Sequence, residues 1–226
     1  MRIGGFQALT LSDYPGHLAA IVFTQGCNFR CPFCHNGPLL PLDRPTAELV
    51  DEGLVVDALQ SRAAFLDGVV ITGGEPTLQE DLRTFIEQIR AMKLKVKLDT
   101  NGSRPDVLAD LLAGRLLDCV AMDIKAPFAR YPQLTGVDAP VEAIRDSIAR
   151  LAAGGTPCEF RTTFVPPLLS KHDLDEIRSY LPDGARHTVQ AFLADNALDA
   201  SLRSATGMAP EPPEDTPHHL DWYSGE

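Results

Sequence analysis

Short runs of β-branched and apolar residues recur along this chain with helix-length stretches between them, and that alternation restricts it to an α/β fold. Ala19–Thr24 (AAIVFT), 68–72 (GVVIT), 94–98 (LKVKL), 117–124 (LDCVAMDI), 158–165 (CEFRTTFV) and 187–193 (HTVQAFL) read as buried strands. Helical periodicity fills about 46–64, 79–92, 105–112, 141–153 and 174–181. Thr46 reads as an N-cap with Glu48 and Asp51 in the first turns, Pro105 suits a first turn, and Gly154-Gly155 suits an exit. Six strands with intervening helices imply a parallel sheet joined by right-handed crossovers.

With 226 residues and 44% hydrophobic content the chain can bury a large core. A single domain over 1–206 is the expectation. From 207 to 226 the composition shifts to Pro210, Pro212, Pro213 and Pro217 among acidic residues, and this tail should be poorly ordered or lie on the surface. His218 and His219 within it read as solvated. A net charge of -11 with no basic run argues against nucleic-acid binding, because phosphate contacts need clustered Lys and Arg. No stretch approaches about 18 apolar residues, and the N-terminus lacks the basic-then-apolar layout of a signal peptide, so a cytoplasmic protein is expected.

In parallel α/β folds the functional loops leave the C-terminal ends of the strands. The chemistry-bearing residues fall there: Cys27, Cys31 and Cys34 after the first predicted strand, Gly73-Gly74-Glu75-Pro76 after the second, Asp99-Thr100-Asn101-Gly102 after the third, and Asp123 and Lys125 at the end of the fourth. An odd count of five cysteines, three of them clustered, favours metal binding over a disulfide framework. The cluster offers three thiolates and no obvious fourth, whereas structural zinc sites close four-coordinate shells. To make a zinc site, His35, Cys119 or Cys158 would have to complete it. His35 adjoins Cys34, so the two side chains tend to diverge, while Cys119 and Cys158 read as small strand residues. Alternation places Asp123 and Lys125 on one side of a strand, with Lys125 set either to neutralise a ligand carboxylate or to pair with Asp123.

The run Cys27, Cys31, Phe33 and Cys34 resembles the cluster motif of the radical S-adenosylmethionine (SAM) family, and Gly73 to Pro76 matches that family's Gly-Gly-Glu-Pro signature. The resemblance implies a partial (β/α)6 barrel and one [4Fe-4S] cluster on Cys27, Cys31 and Cys34. Its open iron would chelate the methionine moiety of S-adenosylmethionine, which one electron cleaves to methionine and a 5'-deoxyadenosyl radical. It also implies cofactor contacts from Phe33, Gly73, Gly74, Glu75, Pro76, Asp99, Thr100, Asn101, Asp123 and Lys125: the ammonium on the Gly-Gly-Glu-Pro carbonyls and the Glu75 carboxylate, the ribose and methionine carboxylate on the later strand ends. The cluster must be strongly reducing, at the low end of a range of roughly -700 to +450 mV.

Ser12-Asp-Tyr-Pro-Gly16, Thr24-Gln-Gly-Cys27, Cys34-His-Asn36, Asp99-Thr-Asn-Gly102 and Met122-Asp-Ile-Lys125 narrow the resemblance to glycyl-radical-enzyme activases, those of anaerobic ribonucleoside-triphosphate reductase above all. This implies a glycyl radical enzyme as partner, a low-potential electron donor such as flavodoxin or ferredoxin, and no catalytic side-chain acid or base. A monovalent cation near Asp99 and Asp123 is a further implication. The chain departs from the pyruvate formate-lyase type in lacking a late histidine near the cofactor on the last strand, where Gln190 or Asn196 would substitute. Tyr14, His17 and His35 are candidates to line an opening for a glycine-bearing loop. A small-molecule radical SAM enzyme, such as a deazapurine-forming synthase, and a noncatalytic metal-binding protein are the alternatives.

Overall fold

The computed structural model describes residues 1–204, so the predicted tail and its histidines lie outside the described residues. Seven strands form one sheet in chain order: β1 (Ile3–Thr10), β2 (Ala19–Thr24), β3 (Gly68–Gly73), β4 (Lys95–Thr100), β5 (Cys119–Asp123), β6 (Cys158–Phe164) and β7 (His187–Ala191). From β2 onward every neighbouring pair is parallel. The sheet is open, with β1 at one end and β7 at the other.

Six strands are therefore corrected to seven. The additional β1 runs antiparallel to β2, with Phe6 opposite Val22 and Gln7 opposite Ile21. Gly4 and Gly5 conceal it in the sequence, since glycine contributes nothing to an apolar alternation and weakens strand propensity. Gly4 answers to packing, since a Cβ there would lie 2.4 Å from Leu39 Cδ2 and 2.7 Å from Gln25 Oε1, whereas a Cβ on Gly5 would make only an ordinary contact with the Phe23 ring at 3.5 Å.

Six α-helices connect and cover the strands: α1 (Glu52–Arg62), α2 (Leu82–Ala91), α3 (Pro105–Ala113), α4 (Tyr131–Thr135), α5 (Val141–Ala153) and α6 (Lys171–Ser179). The expected helix from Thr46 is divided. Residues Thr46–Glu48 form a separate 3-10 turn, and α1 begins after Asp51, whose side chain accepts from Leu54 N. The break has a tertiary cause: Val50 N donates to Ile3 O at 2.9 Å, which holds the chain extended just where a helix from Thr46 would have continued. The last helix starts earlier than its apolar periodicity suggests, because Ser170 and Asp173 form a reciprocal capping box. Its Ser-x-x-Asp spacing was visible in the sequence.

The two sheet faces are unlike. Val22, Val69, Ile71, Val96, Leu98, Val120, Met122 and Phe160 belong to the main core with Leu59 of α1, Phe85 and Ile89 of α2, Leu111 of α3 and Ile148 of α5. Residues opposite one another in a sheet share a face, so the register collects Ile21, Val70, Lys97 and Cys119 in one row on the other side. There Tyr14, Ala19, Ile21, Val70 and Cys119 make a small separate apolar cluster. Toward the C-terminal strand ends the same face turns polar. Among the described residues no helix is long and apolar enough to cross a membrane.

Candidate functional site

A pocket of about 380 Å³ opens at those strand ends, within the size range of small-molecule sites. Cys27, Cys31 and Cys34 line it together with Phe33, Gly73, Gly74, Glu75, Asp99, Thr100, Asn101, Asp123 and Lys125. The loop after β2 is pinned at its base by Gly26 N to Leu39 O (2.7 Å) and Cys27 N to Leu40 O (3.1 Å). Arg30 clamps its middle, donating from Nη1 to Cys27 O (2.6 Å) and Phe29 O (2.8 Å). Cys27 and Cys31 are buried. Burial pushes their thiols up, to about 11 for Cys27 and about 12 for Cys31. They are neutral thiols until a metal ionises them, as coordination does outright.

Among the described residues no group of three or more Cys, His, Asp or Glu is arranged around a single metal ion. A polynuclear cluster asks for something else, since its cysteines bind separate irons. Three soft donors on one wall of a pocket, with charged groups on the wall beyond, fit that chemistry. Cys119 and Cys158 are the first residues of β5 and β6, at the opposite end of the parallel strands, and do not approach the loop.

The glycines at the end of β3 are required by close packing. Gly73 has φ +115°, and a Cβ there would lie 2.4 Å from Thr24 N. A Cβ on Gly74 would lie 2.1 Å from Gly26 O, inside the base of the cysteine loop. Asn36 Nδ2 donates to Gly73 O at 3.2 Å and Glu75 N to Gly26 O at 2.8 Å, so the two loops are directly joined. The Glu75 carboxylate is buried, and among the described residues no Lys or Arg pairs with it. Its Oε1 accepts from Thr77 N (3.1 Å), Thr77 Oγ1 (2.5 Å) and Thr100 Oγ1 (2.8 Å), and its Oε2 from Asn101 N (2.7 Å). Burial raises its pKa, and these hydrogen bonds offset part of the rise. Asn101 Nδ2 in turn reaches Asn28 Oδ1 at 2.9 Å, beside Cys27. Glu75 thus ties the ends of β3 and β4 to the cysteine loop.

Across the pocket runs a line of alternating charge. Lys97 Nζ lies 2.6 Å from Asp99 Oδ1, Arg161 Nη1 3.3 Å from Asp99 Oδ2, Arg161 Nε 3.0 Å from Asp123 Oδ1, and Lys125 Nζ 2.8 Å from Asp123 Oδ2. Burial pushes both carboxyls up, but the Arg161 guanidinium and a lysine beside each outweigh it and hold them below the usual carboxylate range. For Lys125 and Arg161 burial works downward, and the carboxylates prevail, so both pKa values are raised. Asp99, Asp123, Lys125 and Arg161 are therefore ionised near neutral pH. Of the two placements open for Lys125, the structure makes the pair with Asp123 while leaving Lys125 on the pocket wall. The guanidinium stands between the two carboxylates put forward for a monovalent cation.

Several residues are placed differently from expectation. Pro76 is buried at the start of a 3-10 turn and does not line the pocket. Tyr14 lies against the start of β3, its Cε1 3.1 Å from where a Gly68 Cβ would stand, and the His17 ring packs tilted against Tyr14 with Nε2 2.8 Å from Lys95 Nζ. Neither reaches the pocket, and Asn196 does not either; His35 and Gln190 do. The sequence reading missed Asp13, Thr72, Arg161 and Thr163 on the wall and Lys97 behind it. Arg161 had a signal: it alternates with the core residue Phe160 in a strand that reads as buried, and a charge at such a position needs partners.

The Radical SAM superfamily model matches residues 21–184. A Methanocaldococcus jannaschii protein named as a glycyl-radical enzyme activating enzyme is 33% identical over 210 residues, covering 89% of this chain and 84% of its own length. The 7-carboxy-7-deazaguanine synthase of Hyperthermus butylicus is 29% identical over 181 residues, with 73% and 75% covered. Among solved structures, Streptococcus suis SuiB bound to precursor peptide SuiA superposes with TM-score 0.62 at 17% identity, over 78% of this chain and 40% of SuiB. That likeness is one of fold.

Proposed function

The chain belongs to the radical SAM superfamily, and from that premise we propose that it activates a glycyl radical enzyme, an anaerobic ribonucleoside-triphosphate reductase, by removing a hydrogen atom from one of its glycines. The observation that supports the activase reading is the similarity to a named activating enzyme along nearly the whole length of both chains; the choice of reductase rests on the resemblance of the Ser12 to Gly16, Asp99 to Gly102 and Met122 to Lys125 segments. Cys27, Cys31 and Cys34 would hold a [4Fe-4S] cluster. When bound, it supplies the electron that splits S-adenosylmethionine into methionine and a 5'-deoxyadenosyl radical.

The chain's own residues bind and orient. The Gly73 carbonyl and Glu75 Oε2 each engage one donor of the protein and keep a lone pair for the methionine ammonium. Asp99 and Asp123, kept ionised by Arg161, accept from the ribose hydroxyls, and Lys125 faces the methionine carboxylate. Fixing these groups before the ligand arrives makes the electron transfer effectively intramolecular. Phe29 and Phe33 beside the cysteines limit water. Glycine is a suitable target because a radical on its α-carbon is delocalised over two amides. The hydrogen leaves as an atom, so no side chain serves as acid or base. A low-potential flavodoxin or ferredoxin in the cytoplasm completes the scheme.

The test is anaerobic reconstitution, reduction with S-adenosylmethionine, and chromatography for 5'-deoxyadenosine, followed by addition of the reductase and electron paramagnetic resonance. A glycyl doublet on the reductase is expected. Cofactor cleavage without a radical on any polypeptide, together with turnover of a free deazapurine precursor, would replace this reading by a small-molecule one.

A further inference from the structure

The two walls of the pocket differ in how far their polar groups are already committed. On the β3 to β5 side Glu75, Thr100, Asn101, Asp99, Asp123 and Lys125 all bond within the protein. At the other side, Thr163 and Gln190 stand directly opposite each other across β6 and β7, both line the pocket, and neither side chain has a hydrogen-bond partner among the described residues. Beside them His35 lines the same pocket, its ring stacked on Phe192 at 5.6 Å and its Nε2 shut off from solvent without a partner. Such an atom ordinarily finds a partner, and a ligand is one way to supply it. Gln190 is exposed, so this wall faces whatever enters from outside.

Glycine has no side chain to be recognised. An enzyme that selects a glycine within a polypeptide must read the peptide groups on either side of it, each offering one N–H and one C=O. A carboxamide carries the matching pair, one acceptor and a donor, in one plane. β7 is also the end strand of the sheet, paired only with β6 among the described residues, so an extended segment beside Gln190 finds unpaired main chain as well.

Resting on the activase reading, we infer that Thr163, Gln190 and His35 form a subsite for the polypeptide substrate, in which the Gln190 carboxamide hydrogen-bonds a peptide group next to the target glycine. Gln190 is then a specificity residue for main chain, in place of the cofactor-side role that the resemblance implies for this position.

The experiment compares the wild type with Gln190→Leu, which keeps the size and removes both hydrogen bonds. The probe is the full-length anaerobic ribonucleoside-triphosphate reductase, and initial rates of glycyl-radical formation are read by electron paramagnetic resonance at varied reductase and varied S-adenosylmethionine. The KM for the reductase is expected to rise about tenfold and that for S-adenosylmethionine to change less than about twofold. Equal iron content in both proteins establishes that the variant is folded and loaded. Unchanged kinetics toward the reductase, or a rise confined to S-adenosylmethionine, would overturn the subsite. Absence of a radical with the wild type itself would remove the activase reading, and the subsite with it.

Discussion

Replacing Arg161 by methionine tests whether the line of charges organises the site. The guanidinium lies 3.3 Å from Asp99 and 3.0 Å from Asp123, with side chains 15%, 13% and 28% exposed. Stripping the partner from a buried carboxylate costs about 3–5 kcal/mol when that charge is left alone. Here each carboxylate keeps a lysine, at 2.6 and 2.8 Å, so the expected loss is about 2–3 kcal/mol. For a chain of this length that lowers the melting temperature by about 4–12 °C. The pH dependence has a definite sign. Both carboxyls have folded pKa values below the ordinary 3.8, so their contribution is complete above that pH and is lost as the pH falls further. Arg161→Met depresses them less and has less to lose. Urea unfolding followed by circular dichroism at pH 7 and pH 3 should show a gap between the two proteins that narrows in acid. Equal midpoints at pH 7, or a gap undiminished at pH 3, would refute the electrostatic account.

Gly74→Ala forces a methyl to 2.1 Å from the Gly26 carbonyl, where the obstacle is backbone; overpacking of about 1–3 kcal/mol and weakened cluster loading are expected, read by thermal unfolding and iron content. Cys31→Ala should abolish the absorbance of the reconstituted cluster, whereas Cys119→Ala, at the far end of β5, should retain it; loss in both would show that the ligand set is wrong. His187 is held neutral by burial, its pKa pulled down from 6.5 to about 4, so it favours folding above pH 6.5 and this contribution fades as the pH falls toward 4. Unfolding titrations of the wild type and His187→Phe should separate over that interval, with the variant flatter.

β2, β3 and β5 were legible because they are buried on both faces and so read as apolar runs, and Val141–Ala153 matches its predicted bounds without change. Helix starts were less so. Thr46 has the chemistry of a cap, but Val50 is claimed by Ile3, and a hydrogen bond to a residue 47 positions away leaves no local trace. β1 was hidden for a related reason: its Gly4 makes room for Leu39, which the local pattern cannot reveal.

The same division runs through the site. Cysteine spacing and strand-end position by themselves determined where the candidate site lies, since a parallel α/β chain delivers every strand end to one side. Which of these groups bond within the protein and which line the pocket was decided only in three dimensions. Glu75 engages four protein donors, Arg161 arrives from β6 to separate Asp99 from Asp123, and Tyr14 closes the opposite end of the sheet. Those outcomes depend on which side chains the register sets opposite one another and how deeply they are buried, and both are properties of the assembled sheet.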